Sequence, residues 1–164
     1  MKIEHLEERI IDYRTSIKTV VDKRLLWKTT TKPLLIKTLK SIVKLYHIGW
    51  KVQELSWIHN NEAVNITFDS FPEELIDCTN QIPAFQFLPG GALIFSQAYN
   101  GDVYVFMLFP EVENATQESN MIELGIYTPE TITEKLIIEK ADEFLKEMIR
   151  WEVPTLKTKV GFSQ

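Results

Sequence analysis

The sequence predicts an α+β domain in which two N-terminal helices and one C-terminal helix pack on a mainly antiparallel sheet of about five strands. Apolar residues recur at helical spacing at both ends of the chain, and they alternate with polar residues in its middle. The pair Asn100-Gly101 lies between two apolar runs and is typical of a tight hairpin turn. With 164 residues, 45% of them hydrophobic, and only six glycines, the chain suits a single domain with one core.

The first predicted helix covers about 25 residues and has one apolar stripe. Its members are Ile3, Leu6, Ile10, Tyr13, Ile17, Val20 and Trp27. This spacing is the heptad-like pattern of a helical seam, and Arg24 interrupts it. We expect the seam to pack against the chain's own domain, because about three heptads are short for a coiled coil. Pairing with a second copy is the alternative.

A second helix is predicted after the threonine-rich stretch 28–32. That stretch is typical of a helix end, with Thr31 as the cap and Pro33 as an early residue of the next helix. The predicted buried stripe of the second helix consists of Leu35, Leu39, Ile42, Val43 and Tyr46. The opposite side consists of Lys37, Lys40 and Lys44, three like charges that repel one another.

Two hairpins form the centre of the predicted sheet. Asn60-Asn61 supplies the first turn, and Val64, Ile66 and Phe68 then alternate with polar residues. Residues 92–99 and 103–109 flank the Asn100-Gly101 turn and leave little alternation, which predicts that helices or a second copy of the chain cover both sheet faces there.

One further strand is predicted at 121–127, and helix-start chemistry follows it. Thr131 and Glu134 have the spacing of a capping box. The buried stripe of the last helix is predicted to be Ile137, Ala141, Phe144, Leu145 and Met148. We therefore predict one domain over residues 1–151 and a loose tail over 152–164.

Charge is strongly segregated along the chain. Residues 23–51 contain eight Lys or Arg and no Asp or Glu, whereas residues 52–134 contain thirteen Asp or Glu and no Lys or Arg. The net charge of −5 conceals these two opposed fields.

Composition favours a cytoplasmic protein. The N-terminus lacks the apolar stretch of a secretory signal, and no apolar run reaches the roughly 18 residues of a membrane span. The single Cys78 excludes an internal disulfide and fits a reducing compartment.

Catalytic patterns are weak, so we predict a protein that is not an enzyme and has no cofactor. The turn at 88–91 lacks the Lys-Ser/Thr of a phosphate-binding loop, and the three histidines lack metal-ligand spacing. Cys78 with His59 could supply a nucleophile and a base, but a small, partly buried cysteine is the simpler interpretation. An enzyme with an unrecognised site stays as an alternative.

The charge pattern favours protein binding. We predict that an acidic surface binds a cationic protein partner, as an immunity protein, chaperone or adaptor would. The predicted partner-binding residues are Asp102, Glu111, Glu113 and Glu118. The alternative is weak binding of nucleic acid or an anionic surface through a lysine-rich second helix. Its predicted contacts are Lys37, Lys40, Lys44 and Lys51. The charges could also neutralise one another within the fold, with no partner implied.

Overall fold

The computed structural model describes residues 3–56, 61–75, 90–110 and 120–155. It confirms the predicted α+β class, with one sheet of five antiparallel strands and helices at both ends of the chain. The helices are α1 (Glu4–Leu26), α2 (Lys32–Leu45) and α3 (Glu134–Glu152). The strands are β1 (Trp50–Ser56), β2 (Glu62–Phe68), β3 (Ala92–Gln97), β4 (Val103–Leu108) and β5 (Met121–Tyr127).

The strands lie in the sheet in chain order, from β1 at one edge to β5 at the other. The strand pairing of both predicted hairpins is confirmed, because β1 pairs with β2 and β3 pairs with β4, while the first predicted turn includes Asn60, which lies outside the described residues. In the β3–β4 turn Gly101 has a φ of 88°. Residues other than glycine rarely adopt this left-handed backbone conformation. The Asn100 side-chain oxygen accepts a hydrogen bond from the Asp102 amide at 3.0 Å, which closes the turn.

The predicted end of the first helix at 28–32 is wrong, because the chain stays helical from α1 to α2. A π-helical turn, Trp27–Thr31, joins them, and the Lys32 amide donates to the carbonyl of Trp27. We attribute this wider turn to Pro33, whose ring would meet the Thr29 carbonyl in a regular α-helix. Thr31 is not a cap; its buried hydroxyl donates to the Pro129 carbonyl at 3.0 Å.

The main core lies between one sheet face and helices α2 and α3. The strands contribute Val64, Ile66, Leu93, Phe95, Val105 and Met107, all fully buried. The helical side is formed by Trp27, Leu35, Leu39, Ile137, Phe144 and Met148. Phe68 lies between Trp50 and Phe144, with ring centroids 5.6 Å from each. This arrangement confirms the predicted stripe of the C-terminal helix.

The opposite sheet face holds a smaller apolar cluster. Ala63, Ala92 and Ile94 are buried there, with Leu55, Phe106 and Leu108 packed against them. β3 is therefore buried on both faces, as the lack of alternation predicts, whereas the same prediction is wrong for β4, where Tyr104 is 42% exposed.

The C-terminal helix begins slightly later than predicted. Thr133 is the cap, and its hydroxyl accepts from the Leu136 amide at 3.2 Å. Thr131 instead ends a short 3₁₀ turn, Pro129–Thr131. α3 ends at Glu152, and the proposed tail from 156 onward lies outside the described residues. None of the helices described is both long enough and apolar enough to span a bilayer.

Candidate interaction surfaces

A row of exposed apolar side chains lies along α1. Five side chains at heptad spacing, here called the α1 stripe, are each 41–66% exposed. They are Ile3, Leu6, Ile10, Tyr13 and Ile17. Val20 continues the stripe and is half-buried. Trp27, which follows α1 in the π turn, is fully buried. The expectation that the seam packs against its own domain is wrong, because α1 has no buried residue.

The continuous helix explains why α1 leaves the body of the protein. α1, the π turn and α2 together form a 42-residue helical rod, Glu4 to Leu45. At about 1.5 Å per residue the rod is roughly 60 Å long, whereas a seven-residue strand extends only about 23 Å. Only part of such a rod can lie on the sheet, and α2 is the part that does.

The β3–β4 turn holds the base of α1. Lys23 donates to the Asp102 carboxylate at 2.8 Å, and Arg24 donates to the carbonyls of Ala98 and Tyr99 at 3.2 and 3.1 Å. Gly101 lies so close that a Cβ atom there would be 2.5 Å from the Cβ of Lys23. These contacts fix the direction in which the exposed part of α1 projects.

The predicted acidic surface is described only at Asp102. Its side chain is 20% exposed, and its charge is paired with Lys23. Asp102 therefore supports α1 in this structure, and its role in partner binding stays a prediction. The other three predicted residues, Glu111, Glu113 and Glu118, lie outside the described residues.

The predicted lysine surface divides into two parts. Lys37, Lys40 and Lys44 are exposed on α2, and none of them forms an ion pair within the described ranges. Lys51 lies on β1 and pairs with Asp69 at 3.4 Å. Internal neutralisation therefore applies to Lys51 but not to the three helical lysines in the part of the chain that is described.

A polar cluster that the sequence did not indicate lies where the π turn meets β2. The Glu62 carboxylate accepts from the Trp27 indole at 3.2 Å and from Lys32 at 3.0 Å, and Glu54 lies 3.5 Å from Lys32. Trp27 and Lys32 are five residues apart, which is the spacing of a π-helical hydrogen bond but would place them about 140° apart on a regular α-helix. A prediction based on regular α-helical spacing therefore does not place Trp27 and Lys32 beside the same carboxylate.

The charges of this cluster shift the pKa of both partners. The hydrogen bond to Glu62 is the main reason that the pKa of Lys32 lies above its usual value, although burial opposes it. Burial acts to raise the pKa of Glu62, but hydrogen bonds from Lys32 and Trp27, with the positive charge of Lys32, outweigh it. The pKa of Glu62 is therefore below its usual value, and the pair stays ionised at neutral pH.

A groove of about 530 Å³ opens beside Glu62 at the foot of α1. It is lined by Val21, Arg24, Leu25, Trp27, Lys28 and Gln97. Arg24, Lys28 and Glu62 face the groove together, so its lining contains charges of both signs.

The described structure offers no catalytic arrangement from the residues considered in the sequence. His5 and His47 are exposed, and the His47 ring bonds to the Lys44 carbonyl at 2.8 Å. Cys78 and His59 lie outside the described residues. Within those ranges no three His, Cys, Asp or Glu side chains are close enough to hold a metal ion.

Comparison with models of known protein families, with curated proteins and with solved structures finds no match to this chain.

Proposed function

We propose that this protein is a cytoplasmic protein-interaction domain in which the α1 stripe is the apolar anchor for a partner. The observation that carries this proposal is the exposure of five large apolar side chains along one face of a projecting helix. Contiguous exposed apolar patches of this kind are typical of interaction sites. Helical partners recognise such a face through side chains at the spacing found here.

The energetics of α1 support the same proposal. Most helical stability in proteins comes from packing an amphipathic face and not from the intrinsic helix propensity of the residues. Residues 3–19 are all exposed, so that stabilisation is missing from the single chain. A partner on the stripe would supply it.

Charge would act mainly on the rate of encounter. An acidic surface that includes Glu111, Glu113 and Glu118 would attract a cationic partner, as an immunity protein, chaperone or adaptor requires. Asp102 contributes less to that field because Lys23 pairs with it. The stripe would then supply the affinity that long-range attraction does not.

The experiment that tests this function is capture from lysate of the cell of origin with three forms of the purified protein. The stripe variant Ile10→Glu/Ile17→Glu places two carboxylates in the apolar seam. The control Thr15→Glu/Thr19→Glu adds the same charge to the same helix, away from the stripe. We expect the wild type and the control to retain proteins that the stripe variant loses. Equal retention by all three forms would contradict the proposal.

A second candidate function is weak binding of nucleic acid by the exposed lysines of α2. The absence of ion pairs at Lys37, Lys40 and Lys44 within the described ranges favours it. Three such contacts would make retention on duplex DNA strongly dependent on salt. We expect Lys37→Gln/Lys40→Gln/Lys44→Gln to lose retention at low salt. The control Lys18→Gln/Lys135→Gln/Lys146→Gln removes equal charge elsewhere, and an equal loss in both would reject a specific surface.

A further inference from the structure

We propose that the partner of the α1 stripe is the α1 helix of a second copy of this chain, lying antiparallel to it. This inference rests on the proposed interaction function and names its partner. The two helices would form a short coiled-coil seam, and the two domains would lie at opposite ends of it.

The charge distribution along α1 makes the helix self-complementary in that orientation. Residues 3–12 contain four carboxylates and one arginine, whereas residues 13–22 contain Arg14, Lys18 and a single carboxylate, Asp22, which pairs with Lys18 at 2.9 Å. An antiparallel pair places the acidic part of each helix beside the basic part of the other. A parallel pair places acidic beside acidic and basic beside basic.

The stripe can be matched to itself without a gap. Ile10 lies opposite Tyr13 of the second copy when residues whose numbers sum to 23 are aligned. The same alignment sets Leu6 opposite Ile17 and Ile3 opposite Val20. Because each pairing occurs twice by symmetry, every stripe position receives an apolar neighbour, whereas Ile11, which lies outside the stripe, stays exposed.

The charges that flank the stripe distinguish the two orientations. Glu7 and Arg14 occupy one flank and have no ion pair within the described ranges, whereas Arg9 on the other flank pairs with Asp12. In the antiparallel alignment Glu7 lies near Arg14 of the second copy, which gives two attractive contacts. In a parallel pair Arg14 would meet Arg9 instead, which is repulsive.

The exposed length of α1 also fits. Residues 3–19 extend for about 25 Å, and the body of the protein begins near Lys23, where Asp102 holds the helix. The antiparallel alignment uses this whole length and ends at Val20. Such a seam is shorter than the roughly three to four heptads of a stable coiled coil, so we expect a monomer–dimer equilibrium that depends on concentration.

The test is the molar mass of the purified protein over a range of concentrations, measured by sedimentation equilibrium. We expect the wild type to form a dimer. Arg14→Glu places two like charges at each flanking contact, which should weaken the dimer by about tenfold. Glu7→Arg should do the same, and the exchanged variant Glu7→Arg/Arg14→Glu should recover the wild-type affinity. A parallel dimer would instead be strengthened by Arg14→Glu, which would overturn the orientation.

Two further outcomes would overturn the pairing itself. A dimer that survives Ile10→Glu/Ile17→Glu, with Thr15→Glu/Thr19→Glu as the control, would place the interface elsewhere. A wild-type chain that stays monomeric at every concentration would show that α1 does not bind itself. If that monomer still captures other proteins through the stripe, the proposed function stands without this inference; if it captures none, both fail. Circular dichroism of each variant verifies that it is folded.

Discussion

α1 and α3 both have an apolar stripe in the sequence, but they differ in how far the structure buries it. α1 has 23 residues and α3 has 19, and each has apolar residues at helical spacing, although α1 also exposes Ile11 and Leu25 outside its stripe. The α3 stripe is buried on the sheet, with Phe144 fully buried, whereas the α1 stripe is exposed, with Tyr13 66% exposed. An apolar stripe therefore indicates that a helix needs a partner, but it does not indicate where that partner is.

The connections explain the difference. A tight 3₁₀ turn and the Thr133 cap let α3 begin directly after β5 and fold back across the sheet. α1 instead continues into α2 through the π turn, and its residues 3–19 are exposed along their whole length. Chain direction at the junction, more than apolar content, decides which stripe the domain buries.

The largest expected difference in stability lies between two variants in which one aromatic residue is truncated, one variant in each helix. Phe144→Ala should lower the free energy of unfolding by about 3–5 kcal/mol, because it leaves a cavity between α3 and the sheet. Tyr13→Ala should change it by less than about 0.5 kcal/mol in dilute, monomeric protein, because little contact is lost. Chemical denaturation of both variants measures this difference. Equal losses would show that α1 packs on the domain after all.

Much of the fold follows from local sequence patterns. The Asn100-Gly101 turn, the lack of alternation in β3 and the stripe of α3 each predict what the structure shows. These signals are strong because turn chemistry and burial act on neighbouring residues. The same reasoning predicts the α1 seam correctly as a pattern and wrongly as a packed surface, because its neighbours depend on the junction at 28–32.

Local sequence patterns do not predict the π turn at Trp27–Thr31. Threonine-rich segments followed by proline usually end a helix, yet here Thr31 reaches the Pro129 carbonyl and Trp27 reaches Glu62. Those partners are distant in the sequence, and their contacts stabilise a π turn that no spacing rule indicates. The role of Asp102 could not be predicted from local patterns either, because its partner Lys23 is 79 residues away in the sequence.

A smaller effect is expected where the two regions join. Glu62→Gln removes the ion pair with Lys32 and weakens the hydrogen bond from Trp27, so we expect a loss of about 1 kcal/mol at neutral pH. Glu54→Gln is the matched control, because Glu54 is more exposed and lies farther from Lys32. Thermal unfolding measures the loss of stability in each variant. An equal loss in both would contradict the larger contribution expected of Glu62.

The pH dependence of the same variant tests the charge. Because the pKa of Glu62 is below its ordinary value of 4.5, its contribution is present above that pH in the folded protein. It is lost as the pH falls through the lower folded value. The difference in stability between wild type and Glu62→Gln should therefore shrink on acidification below pH 4.5. A difference that is constant over this range would point to packing as its cause.

The smallest effect on stability is expected at the α2 lysines. Lys37→Gln/Lys40→Gln/Lys44→Gln removes three exposed like charges on one helix side and should change the free energy of unfolding by less than about 0.5 kcal/mol. Relief of repulsion makes a slight gain the expected sign. Lys32→Gln should instead lose stability, since Lys32 contacts Glu62 and Glu54. Denaturation at low and high salt separates the two, because screening removes the gain at the α2 lysines. A clear loss in the triple variant would mean that these lysines are neutralised within the fold, and the segregated charge would then need no partner.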